Sequence, residues 1–154
     1  MSLNVSSLEK HFLTLQTETD HFRPSVIGLC ETKIDSNIEQ LYNLAGYNLI
    51  TNNNQLIKGG LALYIKSNIT VTIKPEQTFI RNCIESIFAE LPTTNGIIVV
   101  GLIYKRSVDI STEKCSVALE PLFSSLDPRV ITYIMGDFNI NLLDHHQSKI
   151  LSIE

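Results

Sequence analysis

The chain has 154 residues, a formal net charge of −4 and 44% hydrophobic residues, with a sequence pI near 5.5 and a mean hydropathy of +0.11. One domain, residues 1–154, is the natural expectation at this length, and the apolar content excludes an intrinsically disordered chain. The acidic balance excludes a protein that grips nucleic acid through bulk positive charge, yet suits an enzyme that gathers carboxylates around a metal.

At the N-terminus, MSLNVSSLEK has neither a basic stretch nor an apolar one, so it does not read as a signal peptide. Ser6-x-x-Glu9 reads as a capping box, and Leu8, Phe12 and Leu15 share one helical stripe, which predicts a helix from about Ser7 to Asp20. His11 and His21, on or just after it, read as surface residues. Pro24 introduces SVIGLC, a buried strand that stops at Glu31. A second capping box, Ser36-x-x-Glu39, opens a predicted helix through Ile38, Leu41 and Ala45 to Gly46. The polar Asn52–Gln55 stretch reads as loop.

From Gly59 the pattern turns strand-like. LALYIK and ITVTIK flank Ser67-Asn68 and predict a hairpin. IESIFAEL runs to Pro92, TTNG makes a turn, and IIVVGLIY (Ile97–Tyr104) is a fully buried strand too short to cross a bilayer. Cys115, Leu119, Leu122 and Phe123 mark a helix from near Ser111, which Pro121 should kink or split. After the Asp127-Pro128 turn, VITYIM is the last clear strand. This mixture favours a layered α/β sandwich over a pure βαβ winding. Cys30, Cys83 and Cys115 are odd in number and widely spaced, which suits neither disulfides nor a zinc site and predicts a reducing compartment, nucleus or cytoplasm. The two sequons, at Asn4 and Asn68, should then carry no glycan.

Three apolar runs, read as buried, end in reactive polar residues: VIGLC at Glu31, IIVVGLI at Tyr104, and VITYIMG at Asp137 and Asn139. Sites in layered α/β folds gather at strand ends. Asp137 and Asn139 have the alternate spacing that points two strand residues to one side.

In this order, Asn4 before a capped helix, then GLCETKI, GGLALYIK, IESIFAEL, VVGLIYKR and GDFNINLL resemble the endonuclease domains of LINE-type (non-LTR) retrotransposons. These belong to the endonuclease/exonuclease/phosphatase superfamily, together with apurinic endonucleases and pancreatic deoxyribonuclease. The resemblance implies a four-layered α/β sandwich, C-terminally truncated, and phosphodiester hydrolysis of DNA dependent on Mg²⁺, or Mn²⁺ in its place. It implies Glu31 as the metal carboxylate and Asn4 as the amide at the floor of the site. Asp137 would orient or deprotonate the attacking water, Asn139 would bind the scissile phosphate, Tyr104 would place its hydroxyl beside it, and Glu85 would support the tyrosine or metal cluster. The chemistry agrees, since Mg²⁺ takes oxygen ligands and a positioned carboxylate can activate water.

Each residue has a plainer rival. Glu31 alone reads as a solvated turn residue, Asp137-x-Asn139 as an Asx turn, Asn4 as an ordinary pre-helix residue and Tyr104 as a core tyrosine. Glu85 reads equally as an exposed strand glutamate, and Lys105 and Arg106 as a solvated loop or as phosphate-facing charges. The pattern also departs from the family. The family's downstream Asp and Ser-Asp-His ending find no counterpart in the eleven residues after Leu143. The Asp144-His145 pair follows the GDFN strand too closely to replace it. Ser6 stands where the family often has arginine, and Lys105-Arg106-Ser107 where it often has Arg-Pro-Pro. Three functions follow: a DNA-nicking endonuclease with weak turnover, a phosphatase or phosphodiesterase for lipid or small-molecule phosphates, and a catalytically dead remnant that at most binds. The first of them has the DNA backbone as its partner and calls for no membrane.

Overall fold

The computed structural model describes residues 1–52, 59–81, 84–106 and 112–139. Strand β1 (Ser2–Asn4) pairs in parallel with β2 (Val26–Cys30), and helix α1 (Leu8–Phe22) makes the crossover between them. Strand β4 (Leu61–Lys66) runs antiparallel to β2 and to β3 (Tyr47–Asn52), giving a first sheet of order β1-β2-β4-β3. The second sheet holds β5 (Thr72–Ile73), β6 (Phe79–Arg81), β7 (Ile84–Thr93), β8 (Gly96–Lys105) and β9 (Ile131–Asp137). Its order is β5-β7-β8-β9, with β6 also paired to β7. Strands β7 and β8 form a long hairpin closed at Thr93 and Gly96. Strands β8 and β9 are parallel and joined through α2 (Thr112–Ser124).

Apolar faces dictate the layering. Leu8 and Leu15 of α1 pack on Ile27, Leu29, Ala62 and Tyr64, covering the outer face of the first sheet. Leu61, Leu63 and Ile65 meet Ile87, Ala89, Val100 and Leu102 between the sheets. Leu119 and Leu122 of α2 cover the far side against Phe88, Val99 and Ile103. Each Leu, Ile, Val or Phe among them contributes about 1.5–3 kcal/mol by leaving water. The result is the expected four-layered α/β sandwich, helix on sheet on sheet on helix. A polar stitch ties the sheets at one end: Asn52 Nδ2 donates to the carbonyls of Phe79 (3.0 Å) and Ser86 (2.8 Å). Among the described residues no helix is long and apolar enough to cross a membrane.

Several local expectations are corrected. The first capping box does not form: Ser7 is the N-cap without a side-chain bond, and Leu8 N donates instead to Thr32 O (2.8 Å). The predicted second helix is only a 3₁₀ turn, Glu39–Tyr42. Asp35 Oδ1 accepts from Asn37 N (2.8 Å) in an Asx turn, and Glu39 accepts instead from Thr51 Oγ1 (2.5 Å). Such local bonds compete with helix formation. LALYIK and ITVTIK are not a hairpin. Both edges of β4 are taken by β2 and β3, and Thr72–Ile73 pairs with β7 in the other sheet. Helix α2 runs through Pro121 without splitting. The proline removes the bond that an N–H at 121 would have donated four residues back, and the helix ends three residues later, at Ser124. Strand β9 is not buried: as the edge of its sheet among the described residues it exposes Ile131, Tyr133 and Ile134. The Asp144-His145 pair, Cys83 and the side chain of Cys115 lie outside the described residues, whereas Cys30 is buried as a free thiol.

Candidate active site

Four of the sequence-derived residues stand at the carboxyl ends of parallel strands. Asn4 closes β1, Glu31 follows β2, Tyr104 is the penultimate residue of β8 and Asp137 is the last of β9. In parallel sheets this is where side chains project into the crevice beyond the strands. The register brings them together. Asn4 pairs with Cys30, next to Glu31, and Tyr104 pairs with Asp137.

One amide joins the two sheets. Asn4 Nδ2 donates to Glu31 Oε1 and to Asp137 Oδ2, both at 2.8 Å. Asn4 Oδ1 accepts from Ser6 N at 3.0 Å, which holds the amide in that orientation. Tyr104 Oη donates to the same Glu31 Oε1 at 3.0 Å, and the Lys33 ammonium lies 3.1 Å from Glu31 Oε2. Burial opposes ionisation of Glu31, but hydrogen bonds from Asn4, Lys33 and Tyr104 and the charge of Lys33 outweigh it and hold the carboxyl below its ordinary value. Glu31 is therefore an anion at neutral pH. Burial first, then Glu31, pushes the Tyr104 phenol upward, so Tyr104 acts as a proton-bearing donor rather than a base. Neighbouring Cys30 is pushed up to about 12, mainly by burial, and is an unreactive thiol.

Asn139 enters differently from the expectation. Strand β9 ends at Asp137, and Asn139 sits beyond it with φ of +44°. Its backbone N–H donates to Asp137 Oδ1 (3.0 Å), the Asx turn that was the rival reading of this motif. Its side-chain Nδ2 donates to Lys105 O (2.6 Å), while Lys105 Nζ reaches Asn139 O (3.3 Å). The turn thus fixes the Asp137 carboxylate, and among the described residues one amide hydrogen of Asn139 is without a partner. The preceding Gly136 has φ of +145°, and a Cβ there would overlap the Ile103 carbonyl oxygen. Only glycine lets β9 approach β8 this closely at the site.

Glu85 is fully buried rather than exposed, and faces Tyr104 directly across the β7–β8 ladder. Arg106 binds it, with Nε 3.1 Å from Oε1, so Arg106 is not a free phosphate ligand. Lys105 is buried as well. Sequence reasoning missed Lys33 as the cationic partner of Glu31. Its place two residues from Glu31 in GLCETKI is the only signal, because a solvated lysine has the same appearance.

The family model of the Endonuclease/Exonuclease/phosphatase family matches residues 1–146. The chain belongs to this family. Members of the endonuclease/exonuclease/phosphatase family are hydrolytic nucleases and phosphatases. The endonuclease domain of TRAS1, a telomere-specific non-LTR retrotransposon, is similar in structure, with a TM-score of 0.72 and 12% identity over 97% of this chain and 67% of that one. D. rerio TDP2 complexed with a single-strand DNA product gives a TM-score of 0.70 and 12% identity over 97% and 62%. The AP endonuclease LMAP from Leishmania major gives 0.64 and 14% identity over 93% and 55%. Such low identities establish the shared fold alone, and this chain spans only 55% of the LMAP chain. No curated protein sequence matches.

Nucleases of the endonuclease/exonuclease/phosphatase family generally use divalent metal ions. Among the described residues no group of three or more His, Cys, Asp or Glu side chains converges to hold a metal. That does not disqualify the site for a hard cation, since Mg²⁺ commonly takes one or two carboxylates and keeps several waters. Here the carboxylates of Glu31 and Asp137 flank one amide nitrogen and offer oxygen ligands, and a cation would take the place of the Lys33 ammonium at Glu31 Oε2. The donor set fits.

Proposed function

We propose that this chain carries the metal-binding and phosphate-orienting part of a DNA phosphodiesterase, a nicking endonuclease of the non-LTR retrotransposon type. The observation that supports this reading most is the bridging of Glu31 and Asp137 by the single amide of Asn4. Glu31, with Asn4 beside it, would hold Mg²⁺ or Mn²⁺, which when bound polarises a phosphoryl oxygen and stabilises the leaving group. Asp137 is anchored on one oxygen by Asn139 N and on the other by Asn4. A water hydrogen-bonded to that carboxylate is held in line and can pass its proton to it. The second amide hydrogen of Asn139 and the Tyr104 hydroxyl are neutral donors for the phosphate oxygens, adding no charge that would repel a cation. The substrate is the DNA backbone, and the compartment is nucleus or cytoplasm.

Weak turnover is part of the proposal. Neither described histidine, His11 or His21, is bonded to the site, and Asn139 spends one amide hydrogen on Lys105. The same two observations favour the second reading, a remnant that binds metal or DNA without turnover. Supercoiled-plasmid nicking by the folded chain, with Mg²⁺ and with EDTA, decides between them. Mg²⁺-dependent nicking that disappears in Glu31→Ala supports the endonuclease. Phosphoinositide hydrolysis without nicking would move the substrate to lipid phosphates, and the absence of both activities would leave the remnant.

A further inference from the structure

Glu85 lies buried next to the site, yet neither of its oxygens is turned toward the reacting groups. Its Oε2 accepts from Gly60 N at 2.7 Å and its Oε1 from Arg106 Nε at 3.1 Å. Gly59 and Gly60 have φ of +123° and +91°. A Cβ on Gly59 would overlap the Glu85 carboxylate, so carboxylate and turn are in contact along both glycines. The carbonyls of this turn are occupied in their own right. Gly60 O accepts from Thr32 N (3.1 Å) and Gly59 O from Lys33 N (2.9 Å). Thr32 and Lys33 are the residues that follow Glu31, and Glu31 and Lys33 have φ of +57° and +52°. Non-glycine residues hold that conformation only where the surroundings over-determine it.

We infer that Glu85 is a positioning residue, whose carboxylate fastens the Gly59–Gly60 turn and through it the strained backbone that aims Glu31 at the site. The inference rests on the phosphodiesterase reading of that site. Arg106 completes the latch by neutralising the buried carboxylate, which burial alone would push toward its neutral form. The plain alternative is a satisfied buried ion pair that serves packing only. In that case an apolar residue of the same volume would be neutral or even stabilising and would leave the turn at rest.

The test uses the full chain, unmodified and as E85Q and E85M, with amide hydrogen exchange and Mg²⁺ titration calorimetry. Met keeps the volume and accepts nothing. In E85M, exchange at Thr32 and Lys33 is expected to rise about tenfold, the equivalent of one lost hydrogen bond, while β7 and β8 amides stay within about twofold. Mg²⁺ affinity is expected to fall by about tenfold with it. Gln can satisfy only one of the two donors, so E85Q is expected to show about a threefold rise in exchange, and it carries the test if E85M does not fold. Unchanged exchange at Thr32 and Lys33 in the folded variants would overturn the inference. Accelerated exchange in a protein whose unmodified form neither takes up Mg²⁺ nor nicks plasmid would support the latch and count against the phosphodiesterase reading.

Discussion

The chain is framed by two β-α-β units, β1-α1-β2 and β8-α2-β9, and each delivers two residues to the site. In both, the inner strand is the covered one: β2 is almost wholly buried, and so is β8 from Val99 onward. In both, the outer strand is open to solvent and carries a side chain of the bridged trio at its end, Asn4 or Asp137. The units differ in how much apolar surface the outer strand leaves uncovered. Strand β1 is three residues long, whereas β9 has seven and exposes Ile131 by 62% and Tyr133 by 58%. Apolar composition therefore decides that a segment becomes a strand, while its place in the sheet decides whether it is covered. Each pair of site residues thus combines one from the end of a poorly covered strand, Asn4 or Asp137, with one from the well-covered strand beside it, Glu31 or Tyr104.

That division of labour can be broken at the inner strand first. Leu102 is fully buried between the sheets, and Leu102→Ala is expected to cost about 2–5 kcal/mol in denaturant unfolding. A loss under about 1 kcal/mol would mean that β8 is not the scaffold. Next in size is Asp137→Ala on the outer strand. It is expected to lower plasmid nicking by about 10²–10³-fold, as loss of a positioned general base does, with little change in melting temperature. Large unfolding without a specific kinetic loss would erase the distinction between scaffold and chemistry.

A smaller effect separates the units by pH. The Glu31 carboxyl lies below its ordinary 4.5 in the folded protein. A depressed folded value contributes stability above the unfolded pKa and loses it as pH falls through the folded one. Glu31→Gln should therefore cost more stability near neutral pH than well below 4.5, as read by urea unfolding at both. A cost that grows on acidification contradicts the hydrogen-bonded anion. Smallest of all is Tyr133→Ser on the open face of β9, expected to change stability by no more than about 0.5 kcal/mol.

Much of this was legible in the sequence because periodicity and strand ends are local properties. The helix after Asn4, the β7–β8 hairpin and the strands ending at Glu31, Tyr104 and Asp137 needed only apolar runs and stops. Partner choice was less legible. Nothing in LALYIK indicates that β2 and β3 take both its edges, or that ITVTIK crosses to the other sheet. The helix expected from the Ser36 capping box to Gly46 shrinks to one 3₁₀ turn, with Glu39 bonded to Thr51 on β3 rather than back to its own first turn. At the site, the strand-end pattern pointed to Glu31, Tyr104 and Asp137, and the family resemblance added Asn4 and the roles. The bond from the Asn139 side chain to the Lys105 carbonyl and the burial of Glu85 under Arg106 depend on contacts between segments remote in sequence.

If Glu31, with Asn4 and the Asp137 carboxylate beside it, seats a divalent cation, paramagnetic broadening by Mn²⁺ will find it there. Substoichiometric Mn²⁺ should erase the Asn4 side-chain amide signal and the backbone amides of Thr32 and Phe138 first, sparing the far end of α1. The Glu31→Ala, Asp137→Ala double variant should abolish the effect. Broadening centred elsewhere, or unchanged in that variant, would contradict the account.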